Sequence, residues 1–382
     1  MRVAVIHDWL TTWAGAEGVL ERLLTLLPQA DLYAVIDTLP TVHRSGLLGR
    51  TPRTTLLQHT PRLAEHYRTL LPLMPMAIKA WDFSRYDLIV SSSHAVAKNV
   101  TVPKGVRHVC YCHTPMRYAW ALENTYLDTS GIRGPKAWVV RKLLSRLRDW
   151  DRRGADGVTD FVANSSYIAA RIRRCYGRES VVVHPPVATD LFTPGDAPRS
   201  TTFVTSGRVV QYKRVDVLVD AFRMRPNERL VVIGDGPARA AIAATAPPNV
   251  VFTGRLPLPA LRTHLQTARA FLFAAEEDFG ITPLEAQACG TPVIAFGRGA
   301  AIETIRGLDH AAATGVFFGA QTPDAVVRAM DDFEANAERI TPEACRQNAL
   351  RFSTPHFDQG MRRVLGLAEA VSMAGDQQTG TG

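Results

Sequence analysis

Cysteine is scarce in this chain: 382 residues carry five, Cys110, Cys112, Cys175, Cys289 and Cys345. An odd, scattered set excludes a disulfide-built mini-domain, and reduced thiols are expected. Long apolar runs are missing as well. None approaches the roughly 18 uninterrupted residues that a membrane-spanning helix needs, and the nearest candidate, Leu70 to Ile78, is broken by Pro72 and Pro75. The chain opens on Val3, Ala4, Val5 and Ile6 with no secretory-leader pattern, which points to a cytoplasmic protein. No zinc-finger spacing or aromatic RNA-binding signature occurs, so nucleic acid is not an expected partner. A dinucleotide fingerprint is lacking too. The Val3 to Ile6 run leads into no G-x-G-x-x-G, and the Gly234-x-Gly236 turn continues into Pro237, which counts against a dehydrogenase.

What is present is apolar residue, 46% of the chain, enough at this length for two separate cores. Short Val- and Ile-rich runs alternate with stretches of helical period, the pattern of a parallel sheet flanked by helices. The first series is Val3 to Ile6, Leu32 to Ile36, Leu88 to Ser91, Val106 to Tyr111, Gly157 to Ala163 and Val181 to Val183. A second begins at Thr202 to Thr205 and continues through Leu230 to Ile233, Val250 to Thr253, Ala270 to Phe273, Pro292 to Ala295 and Gly315 to Phe318. Between them Pro185 and Pro186 cannot continue a sheet interior and mark a hinge. Two doubly wound α/β domains facing across a cleft are expected, over residues 1–187 and 188–355. Apolar positions Met361, Val364, Leu365 and Ala368 fit a last helix within 356–371 that completes the first domain, and the polar end, 372–382, reads as a disordered tail.

Charge is unevenly placed. Residues 1–191 hold 25 basic and 16 acidic side chains, net +9, whereas residues 192–382 hold 19 and 20, net −1. The first half is therefore expected to face something anionic, either a phospholipid surface or a phosphorylated small molecule. Within it, Arg133 to Arg153 places eight basic residues around a stripe of Val140, Leu143, Leu144, Leu147 and Trp150. Such a helix either packs its stripe into the core or lies on anionic lipid. The Leu70 to Ile78 segment, with Met74 and Met76, is a second candidate for lipid contact, or for a wall of an acceptor pocket. Asp149-Trp150-Asp151 has the D-x-D form of a metal site, but residues two apart on a helix face different ways. Cys110 and Cys112 alternate along one strand face without further ligands nearby. No metal is assigned to either pair.

Chemistry concentrates in the run from Glu276 to Ala295. It follows an apolar strand, so Glu276 and Glu277 stand at a strand's carboxyl end, where open α/β sheets place their ligands. Thr282 and Pro283 suit the N-cap and first position of a helix over Leu284 to Cys289, with Glu285 near its amino end. Arg208 and Lys213, five apart beyond the Thr202 to Thr205 strand, pair a guanidinium fork with a point charge, a combination that suits a diphosphate. Gly15, ahead of a helix, can bring backbone amides to an anion. His113 follows the Val106 to Tyr111 strand and should project from its tip into the cleft.

Glu277 and Glu285 form an E-x7-E pair, and the setting resembles the retaining glycosyltransferases of family 4. Ser206-Gly207-Arg208-Val209-Val210-Gln211-Tyr212-Lys213-Arg214 resembles that family's G-R-L-x-x-x-K segment, and Gly234-Asp235-Gly236-Pro237 its G-x-G-P turn. Ala14-Gly15-Ala16-Glu17, Tyr86 to His94 and His113-Thr114-Pro115-Met116-Arg117-Tyr118 are similar to segments of bacterial polysaccharide and O-antigen mannosyltransferases. Two positions depart from the pattern: Ala14 replaces the first of two glycines, and Ala188 stands where Asp is frequent.

The resemblance implies a GT-B fold, two Rossmann-like domains, with the donor on the second and the acceptor on the first. It implies catalytic roles for Glu277 and His113, and donor-binding roles for Gly15, Arg208, Lys213, Glu285, Phe279, Gly280 and Ile281. It further implies metal-independent transfer of a hexosyl group with no cofactor, most readily mannose from GDP-mannose. The acceptor would be a saccharide or a polyprenyl-diphosphate-linked saccharide, the latter reached at the inner face of the plasma membrane. A UDP-sugar donor, a nucleotide-sugar epimerase and a non-catalytic sugar-nucleotide scaffold are the alternatives.

Overall fold

The computed structural model describes residues 1–120 and 135–368. Twelve strands among the described residues form two separate six-stranded parallel sheets. The first contains β1 (Val3–His7), β2 (Asp31–Ala34), β3 (Leu88–Ser93), β4 (Arg107–Cys112), β5 (Asp160–Ala163) and β6 (Ser180–Val182), in the order β2-β1-β3-β4-β5-β6. The second contains β7 (Thr202–Ser206), β8 (Arg229–Ile233), β9 (Val250–Gly254), β10 (Phe271–Phe273), β11 (Val293–Phe296) and β12 (Gly315–Phe318), in the order β12-β11-β10-β7-β8-β9. Each apolar run of the sequence is thus a strand; the inner strands are buried on both faces as crossover helices require, and the edge strands β6 and β9 are only partly covered.

Strand order turns back between β1 and β3 in the first sheet and between β7 and β10 in the second. At such a switch point the flanking helices diverge to opposite faces and leave a crevice beyond the carboxyl ends of the strands. One core packs on each face. Val5, Leu20 and Leu23 lie on one side of the first sheet, and Ile6, Ile36 and Met74 on the other. Phe203, Phe222 and Met330 pack on one side of the second sheet, and Phe271, Phe273 and Leu265 on the other.

The chain crosses between the sheets at His184 to Val187 and again at Phe352 and Ser353. Val187 bridges to Ser353 and its N–H donates to the Phe352 carbonyl. The helix Thr354–Leu365 then lies on the first sheet, burying Phe357, Met361 and Leu365 in that core. Each such side chain contributes about 1.5–3 kcal/mol on burial. Arg22 adds an ion pair to Asp358. Gly366 ends the helix with φ +69°, so Ala368 lies beyond it. The tail, 372–382, lies outside the described residues.

The helix Pro135–Gly154 turns Leu144, Leu147 and Trp150 toward the first domain. Leu143 is exposed instead, 46% accessible, and Arg148 is half-buried, so the expected stripe and its outward cations are each off by one member. Arg133 lies outside the described residues. Asp151, fully buried, is engaged by Lys98 Nζ at 2.7 Å, Trp120 Nε1 at 2.7 Å and Tyr176 Oη at 2.8 Å, a structural knot. In the segment after Leu70, Met74 and Ile78 are core residues while Leu73 and Met76 face outward.

Candidate functional site

Both switch points open on one cleft. On the second sheet, the residues after β7 turn sharply to carry Arg208 and Lys213. That turn is buttressed by Gly234, because a Cβ there would lie 1.9 Å from the Gly207 carbonyl oxygen; any side chain would force the β7 and β8 tips apart. Val209 N–H donates to the Asp235 carbonyl at 3.0 Å. The G-x-G-P turn therefore supports the cation loop. A pocket at the strand ends is lined by Thr205, Ser206, Gly207, Arg208, Lys213 and Ala275. Ser206 Oγ is buried there without a hydrogen-bond partner, a polar group that a ligand can satisfy.

Glu277 follows β10, across the switch point. Its Oε1 accepts from Lys213 Nζ at 2.9 Å, and its carbonyl accepts from Ala300 N–H at 3.0 Å. Burial acts to lower the Lys213 ammonium, but the adjacent Glu277 carboxylate outweighs it and holds the group above its ordinary range. Arg208 is exposed and makes no ion pair with the described residues. Arg214, its neighbour in the motif, pairs outward with Asp216 at 3.2 Å.

The helix Ile281–Ala288 starts one turn earlier than the Thr-Pro pair suggested. Its N-cap is Gly280, at φ +86°, and Thr282 Oγ1 is buried without a partner instead of capping. Glu285 sits on this helix with its carboxyl pushed up to about 7 by burial, only partly relieved by Lys213. The Phe279 ring is turned away from the pocket. It stacks on His184 and meets Phe352 edge-on in the hinge core, so only its backbone is available to a ligand.

The first domain closes the site from the opposite side. The helix Gly15–Leu26 begins at the cleft, and Ala14 N–H donates to Glu17 Oε2 at 2.9 Å. Ala14 has φ −146° and ψ −159°, extended backbone that any residue adopts, so the missing glycine there costs no strain. Gly15 lies close against the other domain: a Cβ there would come within 2.8 Å of Ile281 Cδ1, the mobile end of that side chain. His113 Nε2 lies 2.8 Å from Ser92 Oγ, which also meets His7 Nδ1 at 3.1 Å. Burial, with His94 and His7 nearby, holds His113 well below the usual imidazole range, so it is a neutral hydrogen-bonding group. Burial would raise the Glu17 carboxyl, but His7 and backbone hydrogen bonding bring it below the ordinary value. Asp8, at the end of β1, accepts from four successive backbone N–H groups, His94 to Ala97, at 2.6–2.9 Å. That nest fixes the loop after β3.

Three residues of the site carried no individual signal in the sequence. Asp278 accepts Nε and Nη2 of Arg117, the former at 2.9 Å, and Nη1 of Arg171 at 2.9 Å. The partners stand 161 and 107 residues away in the chain, beyond the reach of any spacing argument. Among the described residues, no three His, Cys, Asp or Glu side chains are grouped to hold a metal ion.

Two facing parallel α/β domains with their switch points on a shared cleft define a GT-B glycosyltransferase fold. The solved structure of HepE from Anabaena, in complex with UDP, superposes with a TM-score of 0.68 at 15% identity, covering 96% of this chain and 100% of that one. Sucrose-phosphate synthase from Thermosynechococcus elongatus gives 0.72 at 18%, covering 96% and 98%. The "Glycosyltransferase Family 4" model matches residues 13–191, and the "Glycosyl transferases group 1" model matches residues 190–352. Between them they span both domains, and the chain belongs to glycosyltransferase family 4.

Among curated relatives, D-inositol 3-phosphate glycosyltransferase of Mycobacterium sp. (strain KMS) is 35% identical over 142 residues, 31% of this chain and 32% of that protein. A GDP-mannose-dependent alpha-(1-6)-phosphatidylinositol monomannoside mannosyltransferase of Mycolicibacterium smegmatis is 32% identical over 234 residues, 53% of this chain and 58% of it. The matches thus span between a third and somewhat over half of those relatives. No helix among the described residues is long and apolar enough to cross a membrane.

Proposed function

We propose that this chain is a retaining glycosyltransferase that moves a hexosyl group from a nucleoside diphosphate sugar to a saccharide, with GDP-mannose as donor. The observation that carries this reading is the Lys213–Glu277 pair at 2.9 Å beside the exposed Arg208. It supports a reading in which cations for a diphosphate stand against a carboxylate for the sugar joined to it. Arg208 and Lys213 would take the diphosphate and stabilise the charge it gains as its bond to the anomeric carbon breaks. Glu277, released from Lys213 by the incoming phosphates, would hold sugar hydroxyls and stabilise the oxocarbenium-like state. Glu285, ionised on binding, would accept the ribose hydroxyls. Backbone N–H groups at Gly15, Gly280 and Ile281 would add donors, and neutral His113 would contact the sugar. Displacement on one face follows if the departing phosphate oxygen takes the proton of the attacking hydroxyl as the new glycosidic bond forms.

Mannose and GDP are favoured by the mannosyltransferase relative, whose printed donor is GDP-mannose. A UDP-sugar is the second reading, favoured by the UDP bound in HepE. A lipid-linked acceptor, such as a polyprenyl-diphosphate saccharide, fits the net +9 of residues 1–191, which would draw the first domain to the anionic inner face of the plasma membrane. Thermal melts with GDP, UDP, GDP-mannose and UDP-glucose test the donor, since a ligand bound only by the folded state raises stability with occupancy. A shift with GDP compounds alone supports the first reading, one with UDP compounds alone the second, and none with either overturns both. Transfer should survive EDTA; a strict need for manganese or magnesium would refute metal independence.

A further inference from the structure

The loop that presents Glu277 is gripped from the other domain by the residues on either side of it. Asp278 is 8% exposed, and its carboxylate is shared by Arg117, which starts the turn after β4, and Arg171, on the helix Ser166–Tyr176. Its carbonyl accepts Ser165 Oγ at 2.5 Å. Glu276 Oε1 accepts Tyr167 Oη at 2.7 Å, and Arg171 Nη2 in turn donates to that hydroxyl at 2.9 Å. All of these bonds cross the cleft except Arg171–Tyr167, which braces the two donors on their own helix. Glu277 points the other way, to Lys213 of its own domain. Arg117 also lies over the Tyr212 ring, 5.6 Å from its centroid, next to Lys213.

A carboxylate between two guanidinium groups adds little net stability, because desolvating three charges offsets their attraction. Its value is geometric. The forked donors fix the carboxylate in direction as well as distance, and they can do so only while the domains are together. Opening the cleft would release Glu276 and Asp278 at once and leave the Glu277 loop held only from its own domain, by Ala300 N–H and Lys213. We infer that Asp278, with Arg117 and Arg171, is a positioning clamp that sets Glu277 against the donor sugar only in the closed arrangement. The acceptor domain thereby controls when the sugar carboxylate is in place. The clamp rests on the reading of Glu277 given above.

Asp278→Asn is the test, since it keeps the side chain's shape and removes its charge. Affinity for GDP and UDP, measured by calorimetry, should change less than about threefold, because Arg208, Lys213 and Glu285 are untouched. Turnover of GDP-mannose or UDP-glucose should fall by about a hundredfold, as a misplacement near 1 Å can produce. Small-angle scattering should show that the compaction on adding GDP or UDP is lost. Arg171→Gln combined with Asp278→Asn should be no worse than Asp278→Asn alone, whereas independent roles would multiply their losses. Arg171→Lys, which keeps the charge without the fork, gives a milder second variant and should lose about tenfold in turnover with nucleotide affinity retained.

A folded Asp278→Asn enzyme with more than about half the wild-type turnover, or unaltered compaction, would overturn the clamp. Glu277→Gln, assayed beside it, separates the two claims. If that variant is inactive while Asp278→Asn is active, the clamp falls and the Glu277 reading stands. Should Glu277→Gln itself be active, that reading falls, and with it the clamp's role in turnover.

Discussion

Both sheets are six-stranded and parallel, each reverses its strand order once, and both offer carboxyl strand ends to the cleft, yet those ends carry different chemistry. Beyond β7 and β10 stand formal charges: Arg208, Lys213, Glu277 and Asp278, with Glu285 a turn further on. At the ends of β1, β3 and β4 stand chiefly imidazoles and hydroxyls, with His113, His7 and Ser92 in one hydrogen-bonded line beside the buried Asp8 and Glu17 carboxylates. Charged groups act on charge that develops during a reaction, whereas a neutral network orients and recognises. Under the proposed function, bond cleavage would fall to the second domain and substrate placement to the first, which also supplies the arginines that join them.

The harshest way to break this division is Glu277→Gln. The amide keeps the shape and removes the charge facing the reacting sugar, so turnover should fall well over tenfold with the fold intact by circular dichroism. Retention of more than about a tenth of wild-type turnover, a barrier change below about 1.4 kcal/mol, would refute the role. His113→Gln belongs to the neutral side and should cost less, about 0.5–1.5 kcal/mol for a lost uncharged hydrogen bond. A larger loss at His113 than at Glu277 would invert the comparison.

Next in size are the cations. Lys213→Ala removes a phosphate contact and leaves Glu277 unpaired, while Arg208→Ala removes an exposed charge. Both should weaken nucleoside diphosphate binding and slow turnover, because the same charges serve the bound and the departing phosphate. Charge-assisted bonds contribute about 1.5–3 kcal/mol, with Lys213 toward the upper end. Unchanged GDP and UDP affinity in both variants would mean the phosphates bind elsewhere.

Glu285 tests whether the second domain's charges are held at a cost before ligand arrives. Burial raises its carboxyl from 4.5 to about 7. Between those values the folded protein keeps a proton that the unfolded chain has lost, so the contribution is fully present below about pH 4.5 and is lost as pH rises through about 7. Glu285→Gln should flatten that decline and melt above wild type at pH 8 in the absence of ligand. An unaltered pH profile of melting temperature would show that this carboxyl is not held in the fold as its burial implies.

The smallest effect concerns the first domain's surface. Replacing the exposed Arg141, Lys142 and Arg146 by Gln should weaken sedimentation with anionic liposomes by about 1 kcal/mol per charge near the surface. Binding should also fall with salt, over a screening length of about 8 Å at physiological ionic strength. Equal recovery with neutral and anionic vesicles at low salt would leave the basic half to a phosphorylated soluble acceptor. Arg148 is no part of this set, because it is half-buried.

Much of the second domain's site was legible because its chemistry is local in the chain. Arg208 and Lys213 share one loop, and Glu277 and Glu285 lie on one loop and the helix it opens, so spacing alone brings each pair together. Phe279 stands inside the same motif, and its ring serves the hinge core with His184 and Phe352, a packing role that spacing does not reveal. Thr282 was a sound cap by composition, yet the left-handed turn at Gly280 started the helix earlier. In the first domain, Asp8 carries no motif, yet it secures four amides of residues 94–97 from 86 or more positions away in the chain.

By itself the sequence determined the twelve strands, the hinge and the motif residues, because β-branched runs, paired prolines and short spacings act through neighbours along the chain. Tertiary structure alone decided which loops meet across the cleft. Asp278 finds Arg117 and Arg171, Glu276 finds Tyr167, and Gly15 meets Ile281. These partners come from separate domains, and nothing in local propensity records the approach of two rigid bodies whose contact is made of polar side chains rather than a patterned apolar face.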